Sequence, residues 1–265
     1  MDIVTHLVIS LQQVAVLIFG FVSIVLFSRT LYIYKFRNCA SLRIRKLSMC
    51  MISYMVFNIV GITVSTPYYI YKLFFDETSP DVKFWVLLFA TSYLTVMPLT
   101  VLFLALERCL TIHFKFSTRI EIYVFICKIF AVITVIAANF SRLNNNVVYM
   151  HAFKATLGSF NTWACVFICY KIKQFKIKNW CNTKNVIVKF TCISELCLET
   201  LPNLVAVILL TVFGSGIFSH TGPFASTTQW LNVMFCAIIY SKTLHAKKKQ
   251  STWTKPQHSS KIYHT

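Results

Sequence analysis

Two glutamates, Glu195 and Glu199, stand four residues apart in a long apolar stretch, and Pro202 follows three residues later. On a helix both carboxylates share one face, a single turn apart. In hydrocarbon each costs ~3 kcal/mol on insertion scales, so the pair must turn inward and find partners. Pro202 lacks an N–H, frees a backbone carbonyl one turn earlier and gives the helix a hinge. Ligand contact, helix–helix glue and a protonation switch all remain open to these carboxylates.

Glu107-Arg108-Cys109 closes another apolar stretch. A carboxylate beside a guanidinium at a helix–water boundary can hold it neutralised in one state and release it in another. The plainer reading of Arg108 is a basic residue marking the cytoplasmic face. Cys236-Ala237-Ile238-Ile239-Tyr240 ends the last apolar stretch. Its tyrosine can turn either to the lipid interface or to the interior, because its ring is apolar and its hydroxyl needs a partner.

Gly214-Ser215-Gly216 with His220 reads as an outer turn; a serine–histidine pair would need its members on different helices at depth. The chain has no His-Glu-x-x-His, no phosphate-cradling glycine loop and no clustered Cys/His set. The expectation is no enzyme, no metal and no cofactor.

Residues of these kinds must be held by helices in a membrane. The chain is 57% hydrophobic and 13% charged, against roughly 25% charged in soluble domains. Seven spans are expected, at 7–28, 47–71, 84–106, 122–140, 148–170, 190–213 and 223–241, which makes residues 1–244 one all-α seven-helix domain. A basic tail, 245–265, is expected to hold little fixed structure. Lys128 interrupts span four, which either snorkels there or begins later. Span five is weakly hydrophobic, with Lys154 near its outer start.

The net charge of +18 lies between apolar runs, not on one folded surface, which argues against nucleic acid and for membrane lipids as the partner. Of the 26 lysines and arginines, 21 fall in alternate connections and the tail, four fall on the other side (Lys72, Lys83, Arg142, Lys154), and Lys128 is left over. That excess puts the N-terminus outside and the C-terminus in the cytoplasm. Of the ten cysteines, eight lie in or beside apolar runs, while Cys39 and Cys181 lie in cytoplasmic loops, so no disulfide framework is expected. The Asn139-Phe140-Ser141 sequon sits too near the membrane edge to serve well as a glycosylation acceptor.

The acid-Arg-Cys triplet ending span three, the proline of span six and the hydrophobic-Tyr ending of span seven together resemble a rhodopsin-type G-protein-coupled receptor. The span-two Asp, the span-four Trp, the Asn and Pro before Tyr240 and the outer disulfide cysteines of that family have no counterpart here. Leu104-Ala105-Leu106-Glu107-Arg108-Cys109-Leu110 is similar to the span-three ending of nematode serpentine chemoreceptors, class BC in particular. The resemblance implies a plasma-membrane receptor, on a sensory-neuron cilium, that binds an extracellular small-molecule ligand and activates a heterotrimeric G protein. It implies a transduction switch at Glu107, Arg108 and Tyr240, and a hinge at Pro202 flanked by the interior polar residues Glu195 and Glu199. A multi-pass transporter or ligand-gated channel is the alternative, and the concentration of intramembrane charge on span six speaks against it.

Overall fold

The structure, a computed structural model, describes residues 3–37, 48–74, 80–113, 118–141, 147–174, 182–213 and 224–253. Its helices are α1 (Ile3–Arg37), α2 (Met49–Phe74), α3 (Pro80–His113), α4 (Thr118–Ser141), α5 (Val147–Gln174), α6 (Asn182–Glu195), α7 (Leu201–Phe213) and α8 (Phe224–Trp253). A π-helical turn, Leu196–Thr200, joins α6 to α7 without a break, so the two form one rod. Among the described residues no strand occurs. Gly214, Ser215, Gly216, His220 and most of the expected basic loops lie outside the described residues, as does the tail beyond 253.

The exterior of the described helices is apolar, as their core is. Val4, Leu7, Leu11, Ile18, Phe21 and Val25 make an exposed stripe along α1, while Gln13, Ser23 and Thr30 of the same helix are buried. Large apolar side chains on the outside and polar ones inside suit a solvent of hydrocarbon. Hydroxyls that do face outward are satisfied by their own helix: Thr63, Thr134 and Ser159 each donate to the carbonyl four residues earlier. Five stretches are long and apolar enough to cross a membrane: Val4–Ile33, Met49–Phe74, Leu88–Thr111, Arg119–Ala137 and Val186–Phe213. The chain is a membrane-embedded helical protein.

α5 and α8, expected as spans five and seven, fall short of that standard among the described residues. The reason is visible in their burial. Lys154 and Asn161 on α5, and Gln229 and Asn232 on α8, are all turned into the protein and lower the apolarity of their helices without meeting lipid. Lys154 is therefore an interior residue of its helix and not part of an outer segment. Lys128 is likewise buried, its Nζ donating to Ser53 Oγ of α2 at 2.7 Å, so it neither snorkels nor marks a later start. α8 runs on to Trp253, so the expected domain boundary at 244 falls inside a helix and the first part of the basic tail is helical. Several helices outrun the expected spans in this way, because hydropathy marks the lipid zone while backbone hydrogen bonding marks the helix.

α3 is the central post. It packs on α2, α4, α5 and α6, while α8 packs on α1, α6 and α7 and α1 closes on α2. Small residues set the closest approaches. A Cβ at Gly61 of α2 would collide with the ring of Tyr93 on α3, and one at Gly158 of α5 would collide with Thr200 in the π turn. Tyr93 also donates to Asn58 Oδ1 at 2.9 Å, so the α2–α3 contact carries a ring and a hydrogen bond together.

Gly61→Val should force that ring out, at a cost of about 1–3 kcal/mol typical of overpacking. Thermal unfolding in detergent should show a midpoint lowered by several degrees, whereas Val60→Leu, at a half-exposed neighbouring position, should leave it unmoved.

Candidate functional site

Two buried polar centres occupy the interior. The first lies between α3, α5, the α6–α7 rod and α8, and it grows out of a proline. Pro98 has no N–H, so the carbonyl of Leu94 loses its helical donor. Gln229 of α8 supplies one: its Nε2 donates to Leu94 O at 2.8 Å. Its Oε1 in turn accepts from Lys154 Nζ of α5 at 3.0 Å. Asn161, two turns along α5, donates from Nδ2 to the carbonyl of Pro98 itself at 3.1 Å. Three helices are thus tied at one proline.

The glutamates complete this centre. Asn232 Nδ2 donates to Glu195 Oε2 at 2.8 Å, and Ser194 Oγ donates to Asn232 Oδ1 at 2.5 Å. Glu199 is buried one turn on, within electrostatic reach of Glu195 and Lys154. The expected shared face is what the structure has. Pro202 sits at the second position of α7, and the π turn before it carries Leu201 N–H to Leu196 O, five residues back. That wider turn accommodates the proline ring where an α-helical turn would clash with it. Asn203 Nδ2 donates to Glu199 O at 2.7 Å and pins the turn from its other side.

The second centre lies where the C-terminal part of α3 meets the N-terminal parts of α2 and α4. Arg108 Nη2 is paired with Glu107 Oε1, and stands 3.7 Å from Glu121 Oε1 of α4. Glu107 and Arg108 are both buried, at 0% and 2% exposure. Successive helical residues do not normally face each other, so the contact depends on both side chains curling to one side. Lys128 and Cys50 lie within electrostatic reach of Glu107. Tyr240, the third residue expected in the switch, is turned fully inward. It stacks on Tyr54 with ring centroids 5.7 Å apart and meets Phe27 edge-on at 5.9 Å.

The sequence-predicted residues therefore divide into two sets: Glu195, Glu199 and Pro202 belong to the first centre, Glu107 and Arg108 to the second. Tyr240 joins an aromatic stack and also lies within electrostatic reach of Glu107. Sequence reasoning missed Lys154, Gln229 and Asn232 as partners of the glutamates. A signal existed in α8: Gln229, Asn232, Cys236 and Tyr240 recur at spacings of three and four and all are buried. Interior charge is not concentrated on span six as expected, since Glu107 and Arg108 on α3, Lys128 on α4 and Lys154 on α5 are also inside. Among the described residues no His/Cys/Asp/Glu group is arranged to hold a metal ion. No protein-family model matches the chain, and no curated protein matches it.

The Lys154–Gln229 bond is testable by a double-mutant cycle. Interhelical hydrogen bonds in membranes average about 0.6 kcal/mol and reach ~1.7. Gln229→Leu alone strands a buried ammonium and should lower stability more than the double variant with Lys154→Met, measured by unfolding in mixed micelles. Additive losses would show that the bond contributes nothing.

Proposed function

We propose that the chain is a seven-span receptor, N-terminus outside and C-terminus cytoplasmic, that binds an extracellular small molecule and activates a heterotrimeric G protein. The observation that carries the reading is the buried Glu107–Arg108 pair in the last turns of α3, next to a basic connection. α5 and α8 are the two spans that hydropathy undercounts, their polar residues turned inward. The order in which the helices pack, with α3 central and α1 closing on both α2 and α8, supports a closed bundle. The nematode serpentine chemoreceptors, class BC among them, remain the family this chain resembles, with the plasma membrane of a sensory cilium as its place.

In this mechanism ligand binding between α3, α5, the α6–α7 rod and α8 favours a state in which the rod swings about the π turn and Pro202. The inner ends part, and Arg108 leaves Glu107 to meet the G protein's backbone carbonyls. A ligand binding both states equally would be silent. The π turn is a suitable pivot because its hydrogen bonding is already irregular.

A transporter or channel is favoured by one observation: buried charges stand on α3, α4, α5 and the α6–α7 rod, as they do along substrate pathways. Expression with a promiscuous G protein separates the two readings. Ligand-evoked calcium responses should appear, and Arg108→Ala should abolish them with surface expression near normal. Signalling retained in Arg108→Ala would remove the switch, and a current or substrate flux persisting without any G protein would establish the other reading.

A further inference from the structure

The first centre sets two acids against one base. Glu195 and Glu199 stand one turn apart on the α6–α7 rod, at 0% and 1% exposure, and are hydrogen-bonded to each other. A carboxylate has no hydrogen to give, so a bond between two carboxyls exists only when a proton lies between them. From α8 the pair receives a neutral donor, Asn232 Nδ2, which reaches Glu195 Oε2 at 2.8 Å.

The charges lead to the same number. Facing the pair are Lys154 on α5, Tyr93 on α3, Cys236 on α8 and Tyr54 on α2, each within electrostatic reach of one or both carboxyls. Phenols and thiols are ordinarily uncharged near neutral pH, so Lys154 supplies the one positive charge. With both carboxyls ionised the centre would hold an uncompensated negative charge away from water, which is costly. One shared proton makes it neutral, and a proton needs no cavity to be housed.

The position of that proton links it to the rod. Glu199 lies inside the π turn, and Glu195 is the residue before it. Removing the proton would set two like charges on successive turns at the irregular segment beside Pro202. Glu195 is also a tie from the rod to α8, through Asn232.

We propose that Glu195 and Glu199 form a one-proton site that clamps the rod against α5 and α8, and that loss of the proton to solvent loosens the rod at the π turn. As a proton site it is independent of the function proposed above.

Infrared spectroscopy of the purified full-length protein in detergent, near neutral pH, counts protonated carboxyls by a C=O stretch that carboxylates lack. The double variant Glu195→Gln with Glu199→Gln gives the baseline. Wild type should exceed it by one carboxyl. Glu199→Gln should sit at the baseline, because its amide takes over as donor and leaves Glu195 ionised opposite Lys154. Lys154→Met should exceed wild type by one more carboxyl, since both acids must then be protonated for neutrality. That last comparison decides the matter if the glutamine variants do not fold.

Hydrogen exchange tests the clamp. Opening the turn frees both carboxyls to ionise, as glutamates in water do above about pH 4.3. Opening at 196–203, relative to α2 in the same molecule, should therefore rise about tenfold per pH unit in wild type while the closed pair keeps its proton. In Glu199→Gln the same ratio should stay flat. Wild type at the infrared baseline, Glu199→Gln above it, Lys154→Met no higher than wild type, or an exchange ratio flat in wild type or rising equally in Glu199→Gln would each overturn the proposal.

Discussion

Pro98 opens a carbonyl inside α3, and the way that carbonyl is satisfied organises the molecule. In hydrocarbon no water reaches an orphaned backbone group, so a side chain must replace the missing donor. Gln229 does so from α8 and passes its own carbonyl to Lys154 on α5. One missing N–H thereby fixes the relative position of three helices. Glu195, at the end of α6, joins the same centre through Asn232. Lipid contributes little drive to helix association, so such bonds and close packing at Gly61 and Gly158 must supply the specificity.

The two polar centres have different characters. In the one at Arg108, Glu107 holds the guanidinium and Glu121, Lys128 and Ser53 stand close by, so two acids face two bases there. The other sets two acids, Glu195 and Glu199, against one base, Lys154, next to an irregular turn and a proline. Between them lies the tightly packed aromatic stack of Phe27, Tyr54 and Tyr240, through which movement of α8 would be felt at α1 and α2.

Five apolar spans could be read from hydropathy, as could the shared face of Glu195 and Glu199, because both are local regularities of a helix. The Glu107–Arg108 pair was equally legible, being adjacent in the chain. Lys154 was not. A lysine near the end of an apolar run reads as a boundary, and its partner Gln229 lies 75 residues away. Lys128 misled for the same reason, since only the packing of α4 on α2 and α3 reveals a polar interior for it. The helical continuation to Trp253 lay beyond composition's reach, because a polar, basic segment can be helical wherever it extends a helix already formed.

The claim on which everything else depends is that α5 and α8 cross the membrane with their polar residues inward. Epitopes inserted singly at 175–181 and at 214–223 test it most directly, with a third ahead of Met1 to fix the sidedness. If both helices cross, antibody should reach the 214–223 and N-terminal tags on intact cells and the 175–181 tag only after permeabilisation. If only the five apolar stretches cross, the two internal tags exchange sides, and the bundle proposed here is contradicted.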